Sequence, residues 1–186
     1  MNAVYDGYTA GTWAYNNYNN YDPAFPAFIG TFGSDCTNFV SQAMWHGGKA
    51  MAGDWYIYKK NSTYQFPNSA PELNYSWTLS DPSPWISVKE FNAYWRPKSV
   101  IHAYNHSQYV TNHATAYRSS IFKGDVVVFH RGVADFIVLP SHVMIISGYD
   151  ATNQDFLLAG HSNNRQALPL LSAISGYSYI EFFEIP

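Results

Sequence analysis

The sequence is nearly devoid of cysteine: of 186 residues, only Cys36 is one. A single thiol excludes an intrachain disulfide, so stability must come from packing and hydrogen bonds. It leaves the compartment open, because a lone thiol suits a cytosolic protein and equally a secreted one that keeps a free sulfur for chemistry. Charge is scarce as well. Asp, Glu, Lys and Arg make up 12% of the residues, and the formal net charge is −3, against a usual charged share of about 25%. With no basic excess to neutralise phosphates, nucleic acid is excluded as the main partner. No apolar run approaches the length of about 18 residues that a membrane span needs. The start, Met-Asn-Ala-Val-Tyr-Asp, has neither a basic region nor an apolar run and does not read as a signal peptide. Gly30 and Gly33 lack the preceding strand and the Lys-Ser/Thr of a nucleotide loop, so phosphate cradling is excluded too.

What is present is apolar and aromatic: 47% and 18% of the residues. That composition supports a sizeable core and argues against disorder. Tyr, Asn, Ser and Thr must then carry the polar surface. Such a surface suits sugar or peptide ligands, although an aromatic-rich core explains the same composition. Length and the lack of a linker or repeat predict one domain over 1–186.

Three helices and four strands are predicted. Tyr8, Gly11, Tyr15 and Tyr18 fall at helical steps within 3–20, with a fraying Asn-Asn-Tyr-Asn-Asn end before Pro23. Cys36, Phe39, Val40, Ala43 and Met44 form the stripe of a second helix, which Ser34 or Asp35 can cap and Gly47-Gly48 ends. A third helix is expected to start at Ser83-Pro84 and stop at Arg96-Pro97. Residues 49–82 show no period and read as an aromatic-rich insert of loop character. Apolar, mostly β-branched runs at 126–129, 142–146, 156–159 and 177–183 predict an antiparallel sheet, with a loop at 131–140 between two of its strands. Helices first and strands second is the α+β arrangement.

Cys36 at a helix start is placed for chemistry. The exposed amides there carry about half a positive charge, which stabilises a thiolate and can hold an oxyanion. An isolated cysteine is also often plain core. His142, at a strand start, is a candidate base that takes the thiol proton and returns it to the leaving amine. Asp35 has two readings, a helix cap or a brace for the loop that shapes the oxyanion hole. Its charge beside the thiol should be tied up by backbone amides. Asn38, Ser41 and Gln42 read as packing and hydrogen-bond support. His102 and His106, four apart, would share a helical face, but no third ligand joins them at metal spacing, and no metal is expected. His46 and His130 read as the ends of a helix and a strand.

The string Asp35-Cys36-Thr37-Asn38-Phe39-Val40-Ser41-Gln42 resembles the nucleophile segment of the bacterial putative amidase domain family, which is similar to the papain-like NlpC-type peptidases and CHAP amidases. Trp55, Ser76-Trp77, Lys123-Gly124-Asp125, Ser141-His142-Val143 and His161-Ser162-Asn163-Asn164-Arg165 follow in the expected order. The resemblance is nearly chain-wide. It implies a papain-like α+β fold in which N-terminal helices pack on a C-terminal antiparallel sheet. It also implies a cysteine amidase or peptidase needing no cofactor, with Cys36 as nucleophile and His142 as base. His161 would be the third polar residue, with Asn163 or Asn164 as alternatives. The implied substrate is a peptidoglycan or peptide amide, held in part by Trp55 and Trp77, and the implied location is secreted or wall-associated. Two rival readings stand beside this one: an idle wall- or protein-binding module, and a toxin-like amidase or deamidase acting on protein.

Overall fold

The computed structural model describes residues 4–134, 137–161 and 163–186. Ser162, and residues 135 and 136 of the expected 131–140 loop, lie outside the described residues. Helix α1 spans Gly7–Asn17, and the Asp6 side chain accepts from Thr9 N at its start. Helix α2 spans Cys36–His46, and Gly47 N closes it by donating to Ala43 O. The insert holds more order than its sequence suggests. Strands β1 (Ile57–Lys59) and β2 (Trp77–Leu79) pair antiparallel across helix α3 (Ala70–Ser76).

Helix α4 runs Val88–Trp95, starting four residues later than expected. The Ser83 hydroxyl is spent on a local turn, accepting from Trp85 N at 3.2 Å. Ser87 accepts from Glu90 N instead and starts the helix, the Ser-x-x-Glu pattern of an N-terminus. Strand β3 (Val100–Asn105) and helix α5 (His106–Tyr117) were not legible. An Asn105–Gln108 capping box separates them, so His102 sits on a strand and His106 opens a helix. The two do not share a helical face. His102 pairs with Glu184, and His106 and His113 bond backbone carbonyls.

Strands β4 (Val126–Ala134), β5 (Ile137–Asp150), β6 (Asp155–Gly160) and β7 (Arg165–Pro169) follow, then helix α6 (Leu170–Ala173) and strand β8 (Tyr179–Glu184). They form with β3 one antiparallel six-stranded sheet in the order β3-β8-β4-β5-β6-β7. The four predicted runs are its inner strands. The two that were missed are its edges, where apolar alternation is weakest. The architecture is mixed α+β, with six α-helices among the described residues.

Alternation along each strand divides the core in two. Val126, Val128, Val143, Ile145, Ala159 and Phe183 face α1 and α2. Val127, Phe129, Met144, Ile146, Phe156 and Phe182 face α5 and α6. The expected 131–140 loop is mostly strand, because Arg131 and Gly132 keep pairing with Leu139 and Val138. His130 is therefore inside β4 rather than at its end. It is buried, with Nε2 2.9 Å from Glu181, off the line of a well-formed hydrogen bond. Glu181 also meets Arg96. Burial pushes the Glu181 carboxyl up, but these two partners outweigh it and bring it down to about 2.

Candidate active site

The site lies where the first turn of α2 meets the start of the β5 core. Opposite Phe129 and His130 the register slips: Phe129 pairs with His142, but His130 pairs with Pro140. Ser141 is the extra residue. Such a bulge re-aims the neighbouring side chain and accommodates a proline that has no N–H to donate. His142 is half-buried. Its ring packs beside Phe129 and lies parallel to Tyr177, 6.2 Å between centroids.

Cys36 is 3% exposed. Its sulfur accepts from Ser34 Oγ at 3.5 Å and lies 3.8 Å from Thr37 Oγ1. Burial pushes the thiol up, yet the hydrogen bond and charge of His142, helped by Ser34 and Thr37, bring it down to about 7. The tertiary structure thus joins the two residues separated by 106 positions in the chain, which spacing alone does not pair.

Asp35 occupies the N-cap position of α2, but its side chain makes no cap bond there. The cap reading is corrected: the carboxylate is turned away from the helix and used up elsewhere. Oδ1 accepts from Phe28 N at 2.9 Å and from Asn38 Nδ2 at 2.8 Å, and Oδ2 meets His161 Nδ1. One backbone amide, one side-chain amide and one imidazole tie up its charge, where backbone amides alone were expected. The first-turn amides of α2 are left without a side-chain cap, which suits them to a forming anion.

His161 follows β6, is 4% exposed and stacks on Phe39 of α2 at 4.0 Å. A carboxylate only accepts, so Nδ1 donates to it, and in the neutral ring Nε2 is the acceptor nitrogen. That Nε2 is buried and, among the described residues, has no hydrogen-bond partner. His161 therefore does not bond His142 in this state. His161 Nδ1 is engaged by Asp35 instead, and His142 is turned to the Cys36 thiol. Of the alternatives, Asn163 lines the cleft, and Asn164 bonds Tyr21 from a left-handed turn conformation (φ 47°).

A cavity of roughly 430 Å³ opens beside these groups and is lined by Ser34, His142, His161, Arg131, Arg165 and Tyr177 among others. A second, of roughly 380 Å³, adjoins it and shares Ser34, His161 and Asn163. Together they form a cleft past the base and the buried imidazole. Arg131 and Tyr177 carried no motif signal. The available clue was scarcity: Arg131 and Arg165 are two of only four arginines and flank His142 and His161 in the chain.

Over residues 4–184 the sequence matches the family described as putative amidase domain. The chain belongs to that family. No curated protein and no solved structure matches it. Membership points to amidase-type hydrolysis, and no described helix is long and apolar enough to cross a membrane.

Trp55 and Trp77, expected to hold substrate, are core side chains, 0% and 1% exposed. Trp55 Nε1 donates to Ser41 Oγ, and Trp77 Nε1 donates to Tyr64 O. Bringing such an indole out would forfeit about 3 kcal/mol or more of packing. Stacking on a ligand returns only about 0.5–1.5 kcal/mol. The apolar character of these residues made them core before it could make them binding surface.

Proposed function

We propose that this chain is a cysteine amidase of the papain-like kind, related to NlpC-type and CHAP hydrolases, and that it cleaves an amide in peptidoglycan or a wall-derived peptide. The observation that carries the reading is the hydrogen bond between His142 and the buried thiol of Cys36 at the first turn of α2, which brings that thiol down to about 7 despite burial. A structural cysteine in the same apolar setting would go up.

The thiolate of Cys36 attacks the amide carbon. The uncapped first-turn amides of α2 receive the oxyanion as it forms. His142, holding the thiol proton, passes it to the departing amine, leaving an acyl group on the sulfur. His142 then takes a proton from water, and the resulting hydroxide attacks the thioester and returns Cys36. His161 is the third polar member. Asp35 holds it with Nε2 as acceptor, and it receives the second His142 N–H when the cleft closes on substrate, since catalytic hydrogen bonds commonly tighten only in the complex. A wall substrate places the work outside the cytoplasm.

The test is release of new amines from purified peptidoglycan by the wild-type chain and by Cys36→Ala. Release that requires Cys36 supports the reading. Equal release by both proteins, or none by either on any wall fragment, overturns it.

A further inference from the structure

The cavity beside His142 is electrostatically one-sided. Arg131 and Arg165 both line the cavity shared by His142 and His161, and among the described residues that cavity's lining contains no Asp or Glu. This is unusual for a chain of net charge −3 with only 10 Lys and Arg in total. The other two arginines have partners: Arg96 meets Glu181, and Arg118 caps α5 on Ala114 O. Among the described residues, no carboxylate lies within ion-pair distance of Arg131 or Arg165. Arg131 is held by the Tyr177 ring, 4.9 Å from its centroid, and that ring is the one parallel to His142. Arg165 starts β7 opposite Gly160, next to His161. Arg131 is thus placed by the ring that lies parallel to His142, Arg165 is anchored by its backbone beside His161, and among the described residues neither guanidinium has a carboxylate partner.

We propose that Arg131 and Arg165 form an anion subsite, so that the preferred amide substrate carries a carboxylate close to the scissile bond. This rests on the amidase reading for its substrate, but the subsite itself does not need turnover to be seen. A planar guanidinium fork matches a carboxylate with two donors, which a lysine or a neutral amide group cannot reproduce. The cavity accommodates a small acidic side chain or a chain-terminal carboxylate, and Ser172 and Ser175 add hydroxyls to its wall.

Two alkylating agents of nearly equal size separate charge from reach. Iodoacetate carries a carboxylate and iodoacetamide does not. At low salt and fixed pH, Cys36 is expected to favour iodoacetate by about ten-fold relative to a free thiol, and the preference should fall as salt screens it. His142 contributes to that preference, so the decisive comparison is Arg131→Gln, Arg165→Gln and the double variant. The iodoacetate-to-iodoacetamide ratio should drop several-fold in each and most in the double, with part retained in Arg165→Lys. An unchanged ratio in the double variant overturns the proposal. If Cys36 labels with neither reagent, the thiolate reading fails, and the subsite is decided by a second measurement. N-acetylglutamate and N-acetylglutamine are titrated into Cys36→Ala protein and followed by NMR. Saturable binding of the acid alone, lost in the arginine variants, supports the subsite. Equal binding of both, or of neither, overturns it.

Discussion

At Cys36, two opposed effects meet in one atom. Burial alone would raise the thiol, while His142 lowers it through a hydrogen bond and its charge, and the balance stands at about 7. Labelling of Cys36 by iodoacetamide should therefore rise with pH around a midpoint near 7. In His142→Ala the midpoint should move above the ordinary thiol value, because burial is then unopposed. A midpoint that ignores His142 would end the nucleophile reading. The residue-by-residue reading of the sequence singled out Cys36 and His142 as candidates from their residue types and places in apolar runs, although His142 lies inside β5 beside a bulge and not at a strand start as expected. It missed the partnership of Asp35 with His161, because a hydrogen bond between residues 126 apart has no trace in spacing.

Among the elements, the entry to α2 is held by polar groups inside an apolar core. Asn38 is fully buried. It donates to Pro26 O and Asp35 Oδ1 and accepts from Trp85 Nε1 at 3.1 Å. Asn38→Ala strands all three partners and should lower stability by about 2–4 kcal/mol in urea unfolding. It should also release Asp35, so activity should fall further than the loss of folded protein explains. A second polar anchor sits at the start of β4. Asp125 accepts from Phe122 N and Ile185 N. Burial, and the nearby charge of Glu184, push its carboxyl up to about 7 against the pull of those amides and His102. The folded state then holds this proton more tightly than the unfolded chain. Asp125 therefore contributes stability that is fully present below the ordinary carboxylate value and is lost as pH rises toward 7. Asp125→Asn should flatten that part of the stability profile between about pH 4 and pH 7. A slope of the same size in the variant would show that other groups carry it.

Across the whole molecule, the helical layer and the sheet are locked by backbone rather than by side chains alone. Gly124 adopts φ +93°, and a Cβ there would fall 2.1 Å from Gly7 O at the start of α1. Nearby, Tyr5 donates its hydroxyl to Gly124 O. Gly124→Ala combines a disfavoured backbone angle with a contact that only backbone movement can relieve. It should cost more than about 2 kcal/mol, seen as a lower melting temperature. If it melts as the wild type does, α1 is not seated on this loop in solution.

The sequence by itself determined the α+β class, the four inner strands, the helix that begins at Cys36, and the nucleophile and base as candidates. Each of these follows from local periodicity or from the chemistry of the residue type itself. The edge strands β3 and β7 and helix α5 were not legible, because their apolar pattern is weak and they are held by neighbours rather than by propensity. Only the tertiary structure decided that Trp55 and Trp77 are core, that Asp35 serves His161 rather than its own helix, and that two arginines share the cavity of the candidate base. Those outcomes depend on which surfaces meet. Burial, ion pairing and cavity walls are properties of contacts between segments far apart in the chain, and no window along the sequence contains both sides of such a contact.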